Sequence, residues 1–492
     1  MTERIRLNEG NRRWWTLAAM CFALFMIMLD NTVVNVALPS IQREFDTSLA
    51  ALEWTLNGYT LTFAVLLATG GRLGDIFGRR RAFLIGVTVF ALSSATAGLA
   101  QSDAMLVASR VVQGVGAAFM MPATLSIVTH AFPPAERGKA IGTWAGVSAL
   151  ALAVGPLLGG FLTEEVSWRA IFYINLPVAA GAIVASLFAV RESRDETVGR
   201  EVDFAGVAVL TAGLTALVLA LVEGNAWGWG SPEILALFAG AAVLLGAFVV
   251  IELRVRAPIV DFEFFRSRDF LGANAIAFIV TFAMFGMFFF IALYMQNVLG
   301  YSPLEAGLRF LPTTLMVVFV APTAGRLVDR IGPRPLIVAG LLIVATSLFL
   351  QSRIDIETTF ADLWLPFVLM GIGVAMVISP MSTAAMNAVD VSKAGVASGI
   401  ISMSRMIGGT FGIAVLGAVM QGAVGPATVG SPVEFVDALT TCLTIASAFA
   451  LTGAVVAALT LSRGSVAGRE AAEAAAPASP GGELAAEPAS SR

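Results

Sequence analysis

Three residue types in this chain could do chemistry where the sequence around them is apolar: a carboxyl, an arginine and a polar turn. Asp30 lies in Leu29-Asp30-Asn31-Thr32-Val33-Val34-Asn35, inside an apolar run of helical length. A charged side chain in the middle of a membrane helix costs about 2.5–3.5 kcal/mol on insertion scales, so it is kept for a purpose. At 1.5 Å per residue Asp30 lies about 24 Å above Trp14, in the outer half of a hydrocarbon core about 30 Å thick. Arg110, about 9 Å down a descending fourth span, reaches a similar level. Desolvation opposes ionisation of a carboxyl and a neighbouring cation favours it. A carboxyl so balanced can trade a proton, and Asp30 with Arg110 is the candidate proton-coupling pair. Gln113, Gly114 and Gly116 follow Arg110, and those glycines allow a close neighbour.

The elements that must hold this pair are membrane helices. The chain has 492 residues, 57% hydrophobic and 13% charged, against about 25% charged for soluble domains. Fourteen runs are long and apolar enough to span: Trp14–Ala37, Leu52–Gly70, Ala82–Ala100, Ala104–Val128, Lys139–Thr163, Ala170–Val190, Phe204–Val222, Glu233–Ile251, Phe270–Val298, Leu304–Gly325, Leu336–Leu350, Leu363–Ala388, Gly395–Gln421 and Val436–Ser462. The first reads as a span rather than a cleaved leader, being too long and carrying Asp30. With a cytoplasmic N-terminus, 24 of the 30 basic residues fall on the cytoplasmic side, so both termini are expected there. The segment 463–492, rich in Ala, Glu, Pro and Ser, reads as disordered.

An internal repeat orders these spans. Gly71-Arg72-Leu73-Gly74-Asp75-Ile76-Phe77-Gly78-Arg79 recurs as Gly325-Arg326-Leu327-Val328-Asp329-Arg330-Ile331-Gly332-Pro333-Arg334, Gly114 and Gly116 recur as Gly371 and Gly373, and Pro122 meets Pro380. Spans one to six therefore match nine to fourteen. The expected organisation is a six-helix bundle over 1–190, a linker with two extra helices over 191–262, a second six-helix bundle over 263–462 and the tail. Two related bundles flanking a midplane site are the architecture of alternating access. The position matching Asp30 is Met284, so proton handling is confined to the first half.

Other residues carry weaker signals. Gly71, Asp75, Gly78, Arg79 and Arg80, with Asp329 in the repeat, are candidates for a conformational latch; Asp75 can cap the next helix or meet a basic partner. Gly142, Gly146, Gly155, Pro156, Gly159 and Gly160 predict a fifth span that is kinked and tightly packed. Arg405 is a second intramembrane cation with no acid partner evident, and Phe282 to Phe290 read as core or lipid-facing. Asn31, Asn35, Tyr59, Gln113 and Arg405 are the polar candidates for a substrate cavity. His130 reads as a loop residue, and Trp227 and Trp229 as interface anchors. Cys21 and Cys442 sit in apolar runs without metal spacing, and a single histidine speaks against multi-histidine metal centres. The basic residues are scattered, so no nucleic acid partner is expected. No catalytic cluster appears, so an enzyme is not expected.

In these residues the chain resembles the major facilitator superfamily, and more narrowly its fourteen-span drug:proton antiporters, over Arg12 to Ser462. The loop Gly71–Arg81 resembles the superfamily's signature between spans two and three. Arg110–Gly116 resembles the span-four motif linked there to proton transfer. Gly155-Pro156-Leu157-Leu158-Gly159-Gly160, with Gly146 before it, is similar to the span-five antiporter motif. Asp30 with its flank, Trp168–Pro177 and Gly300–Gly307 resemble the fourteen-span branch. The resemblance implies a monomeric exporter of lipophilic small molecules in the cell membrane, driven by the proton gradient without a cofactor. Some members carry a further acid in span ten; Leu311 to Pro322 holds none, which points to monocationic or neutral substrates. Pro333 stands where the first loop has Arg79, which weakens a symmetric latch. Two other readings stand beside it: a dedicated exporter of one endogenous metabolite or lipid, and a non-transporting membrane receptor or scaffold.

Overall fold

The computed structural model describes residues 9–194, 201–255, 258–389, 393–425 and 431–462. Arg4, Arg6, Arg200 and Arg256 of the basic loops, and the tail 463–492, lie outside the described residues. The described chain is all helix apart from its connections, and fourteen helical stretches are long and apolar enough to cross a membrane. The first bundle comprises α1 (Glu9–Phe45), α2 (Leu49–Phe77), α3 (Arg79–Gly98), α4 (Asp103–Ala131), α5 (Pro134–Glu165) and a sixth span broken into α6 (Ala170–Tyr173) and α7 (Asn175–Ala189). The inserted pair is α8 (Phe204–Trp227) and α9 (Pro232–Glu252). The second bundle follows a short 3-10 turn, with α10 (Arg268–Asn297), a tenth span broken into α11 (Pro303–Arg309) and α12 (Leu311–Ile331), α13 (Pro333–Gln351), α14 (Phe360–Met386), α15 (Ala394–Val424) and α16 (Pro432–Thr460).

The sequence marks where many of these helices begin. Ser48, Ser102, Ser231, Ser267, Ser302 and Ser431 each accept a hydrogen bond from a backbone N–H of the first turn, satisfying donors that have no intrahelical partner. Pro232, Pro303 and Pro432 occupy the first helical position after such a serine, where a missing N–H does no harm. Helices satisfy their backbone groups within one segment, as hydrocarbon requires, although Pro39, Pro122, Pro156, Pro322, Pro366 and Pro380 lie inside spanning helices and have no N–H to donate. His130 belongs to the last turn of α4 rather than to a loop, because that helix runs three residues beyond the apolar stretch that marks it.

Inside the bundles, glycines set the spacing. α3 meets α4 where Gly86 and Gly116 face each other; a Cβ on Gly116 would lie 2.6 Å from the Phe90 nitrogen. α13 meets α14 the same way at Gly340 and Gly373, where a Cβ on Gly373 would lie 2.7 Å from the Gly340 carbonyl oxygen. The repeat thus survives as packing, with helix backbones close enough that only glycine fits. α10 runs through the centre, with Phe282, Phe288, Phe289 and Phe290 all buried. α8 and α9 pair with one another, and α8 lies against both α2 and α15.

The two bundles touch through α1 with α10, α2 with α15, and α5 with α11 and α12. The contacts fall on the half opposite the termini. Gly160 packs on Pro303, Gly307 on the carbonyl of Pro156, and Gln296 donates to the carbonyl of Val36 at 2.8 Å. On the terminal side, Gly138, Gly142 and Gly146 of α5 and Gly399 of α15 have open space before them. The expectation of tight packing along the whole fifth span is therefore corrected. Glycine spacing is the same on both halves of the helix, but only Gly155, Gly159 and Gly160 have a neighbour to meet. α5 runs unbroken through Pro156.

Candidate functional site

The site is built inside the first bundle from α1, α2, α4 and α7. Asp30 comes from the middle of α1 and is fully buried, as are Arg110 and Gln113 of α4. Arg110 and Gln113 are three apart, so they share one face of α4. The arginine Nη1 donates to Asp30 Oδ2 in an ion pair with no solvent contact. The same nitrogen donates to Gln113 Oε1 at 2.7 Å, and Arg110 Nε donates to the carbonyl of Thr55 at 3.1 Å. Gln113 Nε2 closes the ring by donating to Asp30 Oδ1 at 3.0 Å. The guanidinium stacks 4.2 Å from the Tyr59 ring centre, a favourable seat for a desolvated cation.

Two further groups, neither singled out by sequence reasoning, complete the network. Asn175, the first residue of α7, donates to Ser94 Oγ of α3 at 2.9 Å and reaches Asp30 Oδ1 at 3.5 Å. Ser94 in turn donates to the Phe172 carbonyl at 2.9 Å. Asn175 opens α7 directly after Ile174, whose backbone stays right-handed helical. The signal was a lone asparagine in an otherwise apolar run. The carboxylate is thus held by one cation and two amides, and buried charges are tolerated only with such partners. Removing any one of them, or adding a proton to Asp30, frees donors that must find another acceptor. That is the property of a switch.

Not every candidate joins this cluster. Tyr59 and Gln113, expected to face a substrate cavity, are taken up by the ion pair. Asn31 and Asn35 turn their amide nitrogens onto carbonyls of their own helix, those of Ile27 and Asn31. Arg405 on α15 has a buried Nε without a partner, and among the described residues no carboxylate lies within ion-pair distance of it.

The turn between α2 and α3 is a second polar cluster, on the terminal side. Arg79 Nε donates to Asp75 Oδ1 at 2.8 Å. Of the two roles open to Asp75, the structure shows the ionic one. The cap of α3 comes from Glu192, just beyond the sixth span, whose carboxylate accepts from the backbone of Arg80 at 3.0 Å and of Arg81 at 3.3 Å. Arg80 reaches back to the carbonyl of Leu187 at 2.9 Å. Gly78, at φ +118°, leaves the room this carboxylate fills; the left-handed backbone there suits glycine. Gly71 lies against Pro122 of α4. In the repeated turn Asp329 is exposed.

The comparisons with known proteins agree with this architecture. A model of the Major Facilitator Superfamily matches residues 20–413. The tetracenomycin C resistance and export protein of Streptomyces glaucescens is 38% identical over 414 residues, 84% of this chain and 77% of that relative. The multidrug resistance protein Stp of Mycobacterium tuberculosis (strain CDC 1551 / Oshkosh) is 41% identical over 406 residues, 82% and 75%. The puromycin resistance protein pur8 of Streptomyces alboniger is 37% identical over 450 residues, 89% of each. In fold, the chain is similar to a bacterial homologue of the human lysosomal transporter Spinster, with TM-score 0.65, 18% identity, and 91% and 97% of the two chains covered. The chain belongs to the Major Facilitator Superfamily, and is a multi-pass membrane transporter rather than an enzyme.

Proposed function

We propose that the protein is a proton-coupled antiporter that exports lipophilic, monocationic or neutral drugs across the cell membrane, with both termini cytoplasmic. The observation that carries this reading is the fully buried Asp30–Arg110 pair, placed in one of two bundles whose contacts, among the described residues, lie on the half opposite the termini. The relatives named for resistance to or export of tetracenomycin C, puromycin and multiple drugs support the substrate class. The excess of basic residues in the loops of one side, 24 of 30, supports the sidedness. Protons, a lipophilic small molecule and the bilayer are then the partners, the working unit is a monomer, and the proton gradient replaces any cofactor.

In this reading the structure's open side is the cytoplasmic one, and substrate enters there. A proton on Asp30 neutralises it and releases Arg110 and Gln113. Their donors turn elsewhere in the first bundle, and the bundle changes its tilt against the second. Release of substrate outside and uptake of a proton by Asp30 then use the same pair in alternation. Exchange of one monocation for one proton moves no net charge. A neutral substrate would also draw on the membrane potential, at about 2.3 kcal/mol per charge per 100 mV.

Dye efflux from proteoliposomes under an imposed pH gradient tests this. Wild type should transport and Asp30→Asn should fall to the protein-free leak rate; full gradient-driven flux in Asp30→Asn would overturn the role of Asp30. A narrower reading, a dedicated exporter of one compound, is favoured by the relative named for tetracenomycin C alone. A panel of unrelated lipophilic cations separates the two, since a dedicated exporter moves one of them.

A further inference from the structure

The second span carries an acid that the Asp30 pair does not use. Glu53 is fully buried one turn into α2, on the face that meets α15 of the other bundle. Gln421 Nε2 donates to Glu53 Oε1 at 2.9 Å across that seam. The other carboxyl oxygen, Oε2, and the other side of the amide, Gln421 Oε1, are both buried without a partner. Two acceptors, one from each bundle, therefore lack a donor. A proton on Glu53 Oε2 converts one of them into that donor, and an acid and an amide then satisfy one another. An ionised Glu53 would hold a buried charge on a single amide, at a cost of several kcal/mol.

The seam around it is polar along its length. Glu53, Asn57 and Thr60 are spaced four and three apart and share one face of α2. Opposite them, Thr410, Gly417 and Gln421 share a face of α15. Thr60 and Thr410 hydrogen-bond at 2.9 Å, and Gly417 lets α15 approach the Glu53 carboxyl so closely that a Cβ would collide with it. Asn57 is fully buried with neither its oxygen nor its nitrogen partnered. Polar groups left unpaired when a seam is shut are groups that water reaches when it opens.

Among the described residues no neighbouring element supplies a cation. From α8 the nearby charge is Glu223, an acid, and from α16 the neighbour is Cys442, with Glu434 and Asp437 further out and exposed. Gln421 is the polar group of α15 at this end; Arg405 on that helix is sixteen residues away, about 24 Å. Arg110 of α4 is taken by Asp30 and the Thr55 carbonyl. The C-terminal ends of α8 and α15 both lie at this level, and their dipoles disfavour an anion; the N-terminus of α2 favours one, on a single helix against two.

We propose that Glu53 is a proton lock on the outer seam: the two bundles close against each other on the outside only when Glu53 carries a proton, which it takes from the outside and returns there on opening. This deepens the antiporter reading and rests on it for sidedness. The proton on Glu53 is not the transported one. Glu53 lies between the bundles, where the inward-open side does not reach, whereas Asp30 lies within the first. The closed state holds one proton more than the open one, so the closed:open ratio falls up to tenfold for each pH unit of increase.

Spin labels at Val166→Cys and Ile356→Cys, two exposed positions on the outer face, in a chain with Cys21 and Cys442 replaced by alanine, report the separation of the bundles in nanodiscs. In the wild type the short-distance population should shrink as pH rises from 5 to 9. Glu53→Gln should hold the short distance throughout, while Glu223→Gln keeps the wild-type response. Gln421→Lys, which gives an ionised Glu53 a cation across the seam, should also stay closed at high pH. A Glu53→Gln or Gln421→Lys protein that opens with pH as the wild type does would overturn the lock, as would distances that never respond to pH in a wild type that still couples flux to the gradient. Undiminished flux in Asp30→Asn with an intact pH response at the seam would instead remove the antiporter reading and leave the lock standing.

Discussion

The two bundles are built to one plan and charged to another. Both pair their third and fourth helices through facing glycines, Gly86 with Gly116 and Gly340 with Gly373. Both turn between their second and third helices on a glycine with positive φ, Gly78 at +118° and Gly332 at +80°. The first bundle then places an aspartate, an arginine and two amides at its centre, where the second has Met284, only partly buried, at the position matching Asp30. Repetition preserves what close packing demands, because any side chain at those glycines collides with backbone. It does not preserve the buried ion pair, which costs energy wherever it is placed and among the described residues is kept in one copy.

The sharpest way to break this comparison is to treat the two intramembrane arginines, Arg110 and Arg405, alike. Arg110→Ala takes the cation away from the buried Asp30 carboxyl, and removing one partner of a buried pair costs about 3–5 kcal/mol. The variant should lose thermal stability in detergent and lose transport. The double variant Asp30→Asn with Arg110→Gln, in which no charge remains buried, should recover stability without transport. Arg405→Gln orphans no acid and should cost less than about 1 kcal/mol, within the usual range of a substitution that breaks no pair. Equal losses of melting temperature for Arg110→Ala and Arg405→Gln would show that the pairing is not what distinguishes the halves.

The pairing itself was legible, because helical rise alone brings Asp30 and Arg110 to one depth. The repeat was legible too, since glycines at a near-constant offset have a packing cause. Other parts were not. Hydropathy placed the second span's start at Leu52 and singled out no role for Glu53, whereas its helix begins at Leu49 and carries it into the seam. Glu192 lies between Arg191 and Arg194 with nothing in its neighbours to mark it; its work is done 112 residues away in sequence, on the backbone of Arg80. Tyr59 and Gln113 carry the same chemistry in a cavity wall as around an ion pair, and only tertiary packing decides between them. Each miss concerns a partner distant in sequence, which periodicity does not encode.

A smaller effect sharpens the symmetric side of the comparison. Gly116→Ala and Gly373→Ala each push a Cβ into backbone of the neighbouring helix, and overpacking of this kind costs about 1–3 kcal/mol. The two variants should lower the melting temperature to a similar degree, with transport per folded molecule reduced alike. A large loss at one glycine beside a silent change at the other would mean that the repeat is no longer maintained by packing.

The smallest effect concerns the two turns. Glu192 caps α3 through the Arg80 and Arg81 N–H groups, and a lost cap costs about 1 kcal/mol. Glu192→Gln keeps the shape but weakens the acceptor at a helix N-terminus, where negative charge is favoured. The turn also carries the Arg79–Asp75 pair, so loosening it should reduce the transport rate a few-fold while leaving substrate affinity in place. Asp329 in the second turn is exposed, and Asp329→Asn should change the rate by less than measurement error. Steady-state flux against substrate concentration for both variants decides the matter. A rate loss at Asp329→Asn equal to that at Glu192→Gln would mean that the two turns share the work, and that the asymmetry of the molecule ends at its buried charges.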